Sequence, residues 1–320
     1  MLRGTAKKMN DKIRIATRGS PLALEQAKIV RDCLVETYPL LASAGMIEIL
    51  PMRTTGDKIQ SGSLSLLGGK GQFTKEIEEA ILEDRADIAV HSMKDVPTIL
   101  PKGLEIRALL PREDPRDALI AHDTSIQSLA ELPFGAKVGT ASLRRSAMLL
   151  NLRPDVQIEV LRGRVETRLG KVEAGEVDAT FLAVAGLKRL GLAEKATVIL
   201  EPEEMLPAVC QGTIGVECRE DVTAICDLLS KINHTETKSR TQAERAFLTV
   251  LDGSCRTPIG GLATINGSTL SFRGLIVRPD GSEVYVKQCD GNIADAVDIG
   301  TSVAEDLKAR AGMGFFNDDW

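Results

Sequence analysis

The chain has only three histidines, no CxxC pair among its six cysteines and no excess of basic residues, and these absences set the first limits on its 320 residues. His91, His122 and His234 lie far apart. Cys33, Cys210, Cys218, Cys226, Cys255 and Cys289 lack the paired spacing of a zinc site, so neither a metal centre nor a disulfide framework is indicated. The reducing cytoplasm is the expected home. No apolar run follows the early positive charges of MLRGTAKKMNDKIRIATRGS, and none elsewhere is long enough to span a bilayer, so neither a secretory signal nor a membrane contact is expected. A net charge of −5 argues against a nucleic-acid partner, because neutralising phosphates needs a basic face.

What is present reads as globular protein, 43% apolar and 27% charged, and long enough for two or three domains. The first half alternates strands and helices. KIRIATR predicts a strand and SPLALEQAKIVRDCLVETY a helix, with Ser20 at its cap and Pro21 at its first position. MIEILPMRT, the helix FTKEIEEAILEDR and the strand ADIAVHS follow. The order begins again near residue 136 with AKVGTAS, a helix SLRRSAMLLNL capped by Ser142, VQIEVLRG, RVETRLGKVEAGE and the strand DATFLAVAGL. Two related α/β domains facing a cleft are expected, spanning 10–112 with 213–232 and 117–208. Residues 235–320, with hairpin signals Asn266-Gly267 and Asp280-Gly281, are expected to form a small α+β third domain.

The arginines are not evenly spread. Arg144, Arg145, Arg153, Arg162, Arg164 and Arg168 fall in one short region of an acidic protein, which suggests local anion binding. Arg18 and Ser20 occupy a strand-to-helix junction in the first domain, and Ser142, Arg144 and Arg145 one in the second. Free N–H groups at helix starts suit carboxylates. Simple capping explains the two serines but not the clustered guanidiniums. In HSMKDVP, the residues Ser92, Lys94 and Asp95 follow directly on an apolar strand. Asp95 is either a turn residue or a carboxylate suited to steady a developing cation. LGGKGQF with Lys70 could cradle a phosphate but lacks the GxxxxGK(S/T) pattern, and fits a lid over the cleft better. Cys255 sits in a glycine-flanked loop beside Arg256, a setting that favours an exposed, thiolate-like cysteine.

Taken together, RIATRGSPLAL, GGKGQFTKEIE, ADIAVHSMKDVP, REDPRDALI, VGTASLRR, LRGRVETRL, AVAGLKRLG, LPAVCQGTIGVE and LDGSCRTPIG resemble the hydroxymethylbilane synthase, or porphobilinogen deaminase, family, in order from about residue 12 onward. The resemblance implies two similar periplasmic-binding-protein-like α/β domains around a cleft plus the small α+β C-terminal domain. It implies a monomeric transferase that joins four porphobilinogen units head to tail, losing ammonia each time, and releases linear hydroxymethylbilane. It implies a dipyrromethane cofactor, thioether-linked to the cysteine of the GSC motif, here Cys255. Asp95 would be the catalytic carboxylate that stabilises an azafulvene-like cation. Ser92, Lys94, Asp95, Asp117, Ser142, Arg144 and Arg145 would grip the cofactor, and Arg18, Ser20, Lys70, Arg162, Arg168 and Arg189 would bind substrate. The chain departs from the family pattern at Arg164, Glu166, Leu66 and Cys210, the last standing where glycine is common.

Two rival readings remain at this level. A non-catalytic anion-binding receptor would leave Cys255 and the third domain without a role, and a cysteine-dependent transferase of another anionic substrate is told apart by intact-protein mass.

Overall fold

The computed structural model describes residues 12–58, 71–251, 258–312 and 315. Cys255, Lys70 and Leu66 lie outside them. The described chain forms two compact units, the first from residues 12–112 and 213–238, the second from 113–212 and 239–315.

In the first unit the strands are β1 (Ile13–Arg18), β2 (Ile47–Met52), β3 (Ile88–Ser92), β4 (Leu104–Leu109) and, from far along the chain, β10 (Ile214–Arg219). They form one sheet in the order β2-β1-β3-β10-β4, with β1, β2 and β3 mutually parallel and β10 antiparallel to both of its neighbours. The consecutive buried positions of β1 (Ile15, Ala16, Thr17) and β3 (Ile88 to His91) fit strands covered on both faces. Helix α1 (Pro21–Thr37) buries Ala23, Gln26, Ala27, Val30 and Leu34, a three-to-four spacing that lays one stripe on the sheet. Ser20 Oγ accepts from Ala23 N–H, and Pro21 occupies the first turn, so the helix starts where the sequence predicts. The short helix α2 (Thr55–Lys58) and α3 (Lys75–Leu82) follow, α3 burying Ile77, Glu78, Ala80 and Ile81. Each fully buried Ile or Leu contributes about 1.5–3 kcal/mol, and Ile15, Leu34, Ile77, Ile81 and Ile88 are all fully buried.

The second unit repeats the plan. Its sheet runs β7 (Gln157–Glu159), β6 (Lys137–Gly139), β8 (Ala179–Ala183), β5 (Asp117–Ala121) and β9 (Val198–Ile199). Again three parallel strands meet an antiparallel fourth. Helices α4 (Leu143–Leu152) and α5 (Val165–Glu173) take the places of α1 and α3. DATFLAVAGL does not remain a strand throughout. Its strand ends at Ala183 and α6 (Val184–Arg189) begins at once, because a continuous apolar run fits a buried helix as well as a buried strand. VQIEVLRG pairs over only three residues, at the sheet edge.

Helix α7 (Thr223–Ser230) belongs to the first unit. Helices α8 (Thr235–Val250) and α9 (Ala296–Ala311) accompany a three-stranded antiparallel sheet, β11 (Ile259–Asn266), β12 (Thr269–Val277) and β13 (Val284–Asn292), whose hairpins turn at the two predicted Asn-Gly and Asp-Gly positions. Gly300 lets α9 approach α8: a Cβ there would stand 2.0 Å from the Ala243 carbonyl oxygen. Leu275 and Val277 of β12 share one buried cluster with Leu149, Phe181 and Leu206. The mixed α/β architecture with a small C-terminal α+β part is therefore present. No described helix is long and apolar enough to cross a membrane.

Candidate functional site

The second unit concentrates positive charge where its strands end. Asp117, the first residue of β5, is fully buried. Its Oδ2 accepts from Arg144 Nη2 at 2.7 Å, and its Oδ1 from Arg145 Nη2 at 2.7 Å and Gln211 Nε2 at 2.8 Å. Arg144 Nη1 donates to Leu206 O and Arg145 Nη1 to Phe181 O, so both guanidiniums are fixed on several sides. Burial works to raise the Asp117 carboxyl, but Arg144 and Arg145, helped by Gln211, hold it well below the ordinary carboxylate range. Two guanidiniums against one carboxylate leave one net positive charge at a buried place. The Nε atoms of Arg144, Arg145 and Arg162 are buried with no hydrogen-bond partner among the described residues. Such unmet donors on buried cations are costly unless something accepts from them.

Further arginines surround this pair. Arg168 is held down to about 10 by burial and then by Arg145 and Arg162, which marks the three as one crowded cationic group. Its Nε donates to the carbonyl of Gly163, a residue at φ 121°. Arg189, lowered to about 10 by burial, donates to Gly212 O at 2.6 Å, one residue beyond Gln211. Ser142 caps α4 by accepting from Arg145 N–H, which aims the Arg144 and Arg145 pair from the first turn. Arg164 stands at the N-cap of α5 and Glu166 in its first turn.

The first unit places acid in the equivalent region. Asp95 ends the short 3-10 turn Met93–Asp95 that follows β3, is half-buried, and takes no hydrogen bond from any described residue. Just before it, Ser92 Oγ accepts from Gln26 Nε2 of α1 at 2.8 Å, which pins the strand end. Lys94 is half-buried in the same turn. His91 Nε2 lies 2.8 Å from Glu217 Oε2, both buried, on adjacent antiparallel strands. Burial pushes the nearby Glu78 carboxyl up, a Thr74 hydrogen bond opposes this, and the Glu217 charge adds to the rise. Arg18 stacks over the Phe73 ring at 4.2 Å from its centroid.

Asp117, Ser142, Arg144, Arg145, Arg162 and Arg168 thus gather in one unit, with Arg189 tied to the loop that carries Gln211. Ser92, Lys94 and Asp95 share one turn of the other, where Arg18 and Ser20 stand at the end of β1 and the start of α1. Gln211, Gln26, Glu217 and Glu244 were not among the candidates. Glu244 is fully buried and accepts from Cys210 N–H and, at 2.9 Å, from Ala263 N–H, so it ties the loop before Gln211 to β11. Cys210 itself has φ 61°, a left-handed conformation that accounts for glycine being common at this place.

Residues 13–227 match the family described as "Porphobilinogen deaminase, dipyromethane cofactor binding domain", and residues 238–309 match "Porphobilinogen deaminase, C-terminal domain". The chain is 54% identical to a curated porphobilinogen deaminase of Nitrobacter winogradskyi over 302 residues, 94% of each chain. It is 52% identical to that of Paracoccus denitrificans over 96% of each chain, and 51% identical to the chloroplastic porphobilinogen deaminase of rice over 95% of this chain and 86% of the relative. Among solved structures, a YaeC-family lipoprotein from Enterococcus faecalis aligns at a TM-score of 0.41 with 15% identity, covering 73% of this chain and 97% of its own.

Proposed function

The chain belongs to the porphobilinogen deaminase family, and from that premise we propose that Asp95 is its catalytic carboxylate, Cys255 its cofactor attachment point and the Asp117-centred arginines its anion clamp. It is a transferase of tetrapyrrole synthesis with porphobilinogen as substrate and hydroxymethylbilane as product. Its dipyrromethane cofactor supplies the pyrrole end to which substrate units are added.

The residues present fit that group. Each pyrrole carries an acetate and a propionate, and the second unit offers a buried surplus of positive charge with three unbonded Nε donors. Bidentate guanidiniums hold carboxylates better than ammonium groups do. Arg144, Arg145, Ser142, Asp117, Ser92 and Lys94 would hold the cofactor, while Arg18, Ser20, Arg162, Arg168, Arg189 and Lys70 would receive substrate carboxylates. The open carboxylate of Asp95 accepts pyrrole N–H bonds and stabilises the cation left when ammonia departs from substrate, because a fixed negative charge needs no reorganisation at that moment. Cys255, next to Arg256 in the sequence, would form the thioether. The enzyme acts as a cytoplasmic monomer with no nucleic-acid or membrane partner.

The observation that carries this reading is the set of buried, unbonded guanidinium edges. Intact-protein mass tests it. The wild-type chain should carry an adduct of two linked pyrrole units that is lost in Cys255→Ala, and an unmodified, fully active protein would overturn the proposal.

A further inference from the structure

Away from the residues discussed so far, the first unit brings two thiols and a carboxylate together on one face of its sheet. Cys218 of β10 stands directly opposite Glu105 of β4 in the antiparallel register, so their side chains leave the sheet on the same side. Helix α7 covers that side and presents Cys226. The Cys218 and Cys226 Sγ atoms are 3.9 Å apart, and Cys226 Sγ is 3.6 Å from Glu105 Oε1. One ligand atom from each of the three residues falls within a common 4.8 Å, the only such group among the described residues.

These spans fit a tetrahedral metal. Zinc–sulfur bonds of about 2.3 Å and zinc–oxygen bonds of about 2.0 Å at tetrahedral angles place two sulfurs about 3.8 Å apart and a sulfur and an oxygen about 3.5 Å apart. The thiols are buried, whereas the Glu105 side chain is 35% exposed. That leaves an entry path and a fourth position for water.

We propose that Glu105, Cys218 and Cys226 form a binding site for a soft or borderline divalent cation of the zinc and cadmium class. Binding releases one proton from each thiol to solvent and forms two metal–sulfur bonds and one metal–oxygen bond, with no change in oxidation state. Two thiolates and one carboxylate then leave the bound dication with one net negative charge. Arg107 competes for the site: its Nη1 lies 3.3 Å from Glu105 Oε1, while its Nε donates to Ser230 Oγ at 2.9 Å. The metal must displace that contact, and Arg107 then faces the site's negative charge.

The test is titration of the reduced holoenzyme with Cd²⁺, followed by the near-ultraviolet thiolate-to-cadmium absorption band, with Zn²⁺ as competitor. One Cd²⁺ per chain with a two-thiolate intensity is expected, displaced by Zn²⁺. The band should be lost in Cys226→Ala and Cys218→Ala, weakened at least about ten-fold in affinity in Glu105→Gln, and unchanged in Cys289→Ser. Should Cys218→Ala fail to fold by circular dichroism, Cys226→Ala and Glu105→Gln decide the matter. Absence of the band at metal excess, or a band undiminished in Cys226→Ala, overturns the proposal. So does a two-dalton mass loss in the protein as isolated, which would make the pair a disulfide.

Discussion

The two units share one sheet plan and one helix-start device yet bury opposite charge. After the cap at Ser20, the first turn of α1 carries Leu22 and Ala23. After the cap at Ser142, the first turn of α4 carries Arg144 and Arg145. Where the antiparallel strand meets the last residue of the third parallel strand, the first unit has Ile214 opposite Ser92 and the second has Asp117 opposite Ala183. A shared backbone was therefore furnished twice. One copy buries carboxylates around His91 and presents Asp95, and the other buries guanidiniums around Asp117. A fold plan alone does not say which ionic chemistry it carries.

That contrast can be broken most forcefully at its centre. Asp117→Ala leaves two buried guanidiniums without their shared counter-charge and should cost about 3–5 kcal/mol in denaturant unfolding. An effect under about 1 kcal/mol would mean that Gln211 and the carbonyls suffice. Because the folded carboxyl is held below its ordinary value of 3.8, its contribution is complete above that pH and is lost as pH falls below it. Acid unfolding of Asp117→Asn should lack this component.

On the acidic side, Asp95→Asn should keep fold and cofactor while turnover falls roughly 10²–10³-fold. Normal steady-state turnover in that variant would remove Asp95 from its role. The cationic side should answer differently. Arg144→Leu and Arg145→Leu each leave Asp117 one guanidinium, so the fold should survive, but assembly of the covalent cofactor should fail in most chains, read by intact mass as a large fall in the adduct-bearing fraction. A full adduct in both would show that the carboxylates are held elsewhere.

The smallest effect sharpens the likeness instead. Ser20→Ala and Ser142→Ala should each cost about 1 kcal/mol in thermal unfolding, since both hydroxyls cap in the same way. Only Ser142→Ala should also lower the fraction of chains that carry the adduct, because its cap aims Arg145.

Much of this was legible in the sequence wherever the signal is local. Ser20-Pro21 and Ser142 announce helix starts, Asn266-Gly267 and Asp280-Gly281 announce hairpins, and the crowding of Arg144 to Arg168 announces a gathered cationic group. Pairings made across the chain were not legible. Glu217 meets His91 from 126 positions away and Glu244 meets Cys210 from 34, and no periodicity reports such distances. Asp117 is indicated by resemblance alone, since a lone aspartate opening an apolar strand carries no local sign of two arginine partners. The end of β8 was missed because apolar runs do not distinguish strand from buried helix. The Glu105–Cys218–Cys226 grouping escaped cysteine spacing rules because strand register, and not sequence proximity, aligns two of its members.

The placement of β10 has a consequence for the order in which the protein is made. All five strands of the second unit's sheet lie between Asp117 and Ile199, so that sheet is complete once the segment leaves the ribosome. The first unit's sheet stays open until Ile214–Arg219 is translated, because among the described strands β4 pairs with no other and β3 lacks its second neighbour. Translation therefore delivers every strand of the second unit's sheet before the strand that joins β3 to β4, and until then the N-terminal segment keeps those strand edges open to pairing.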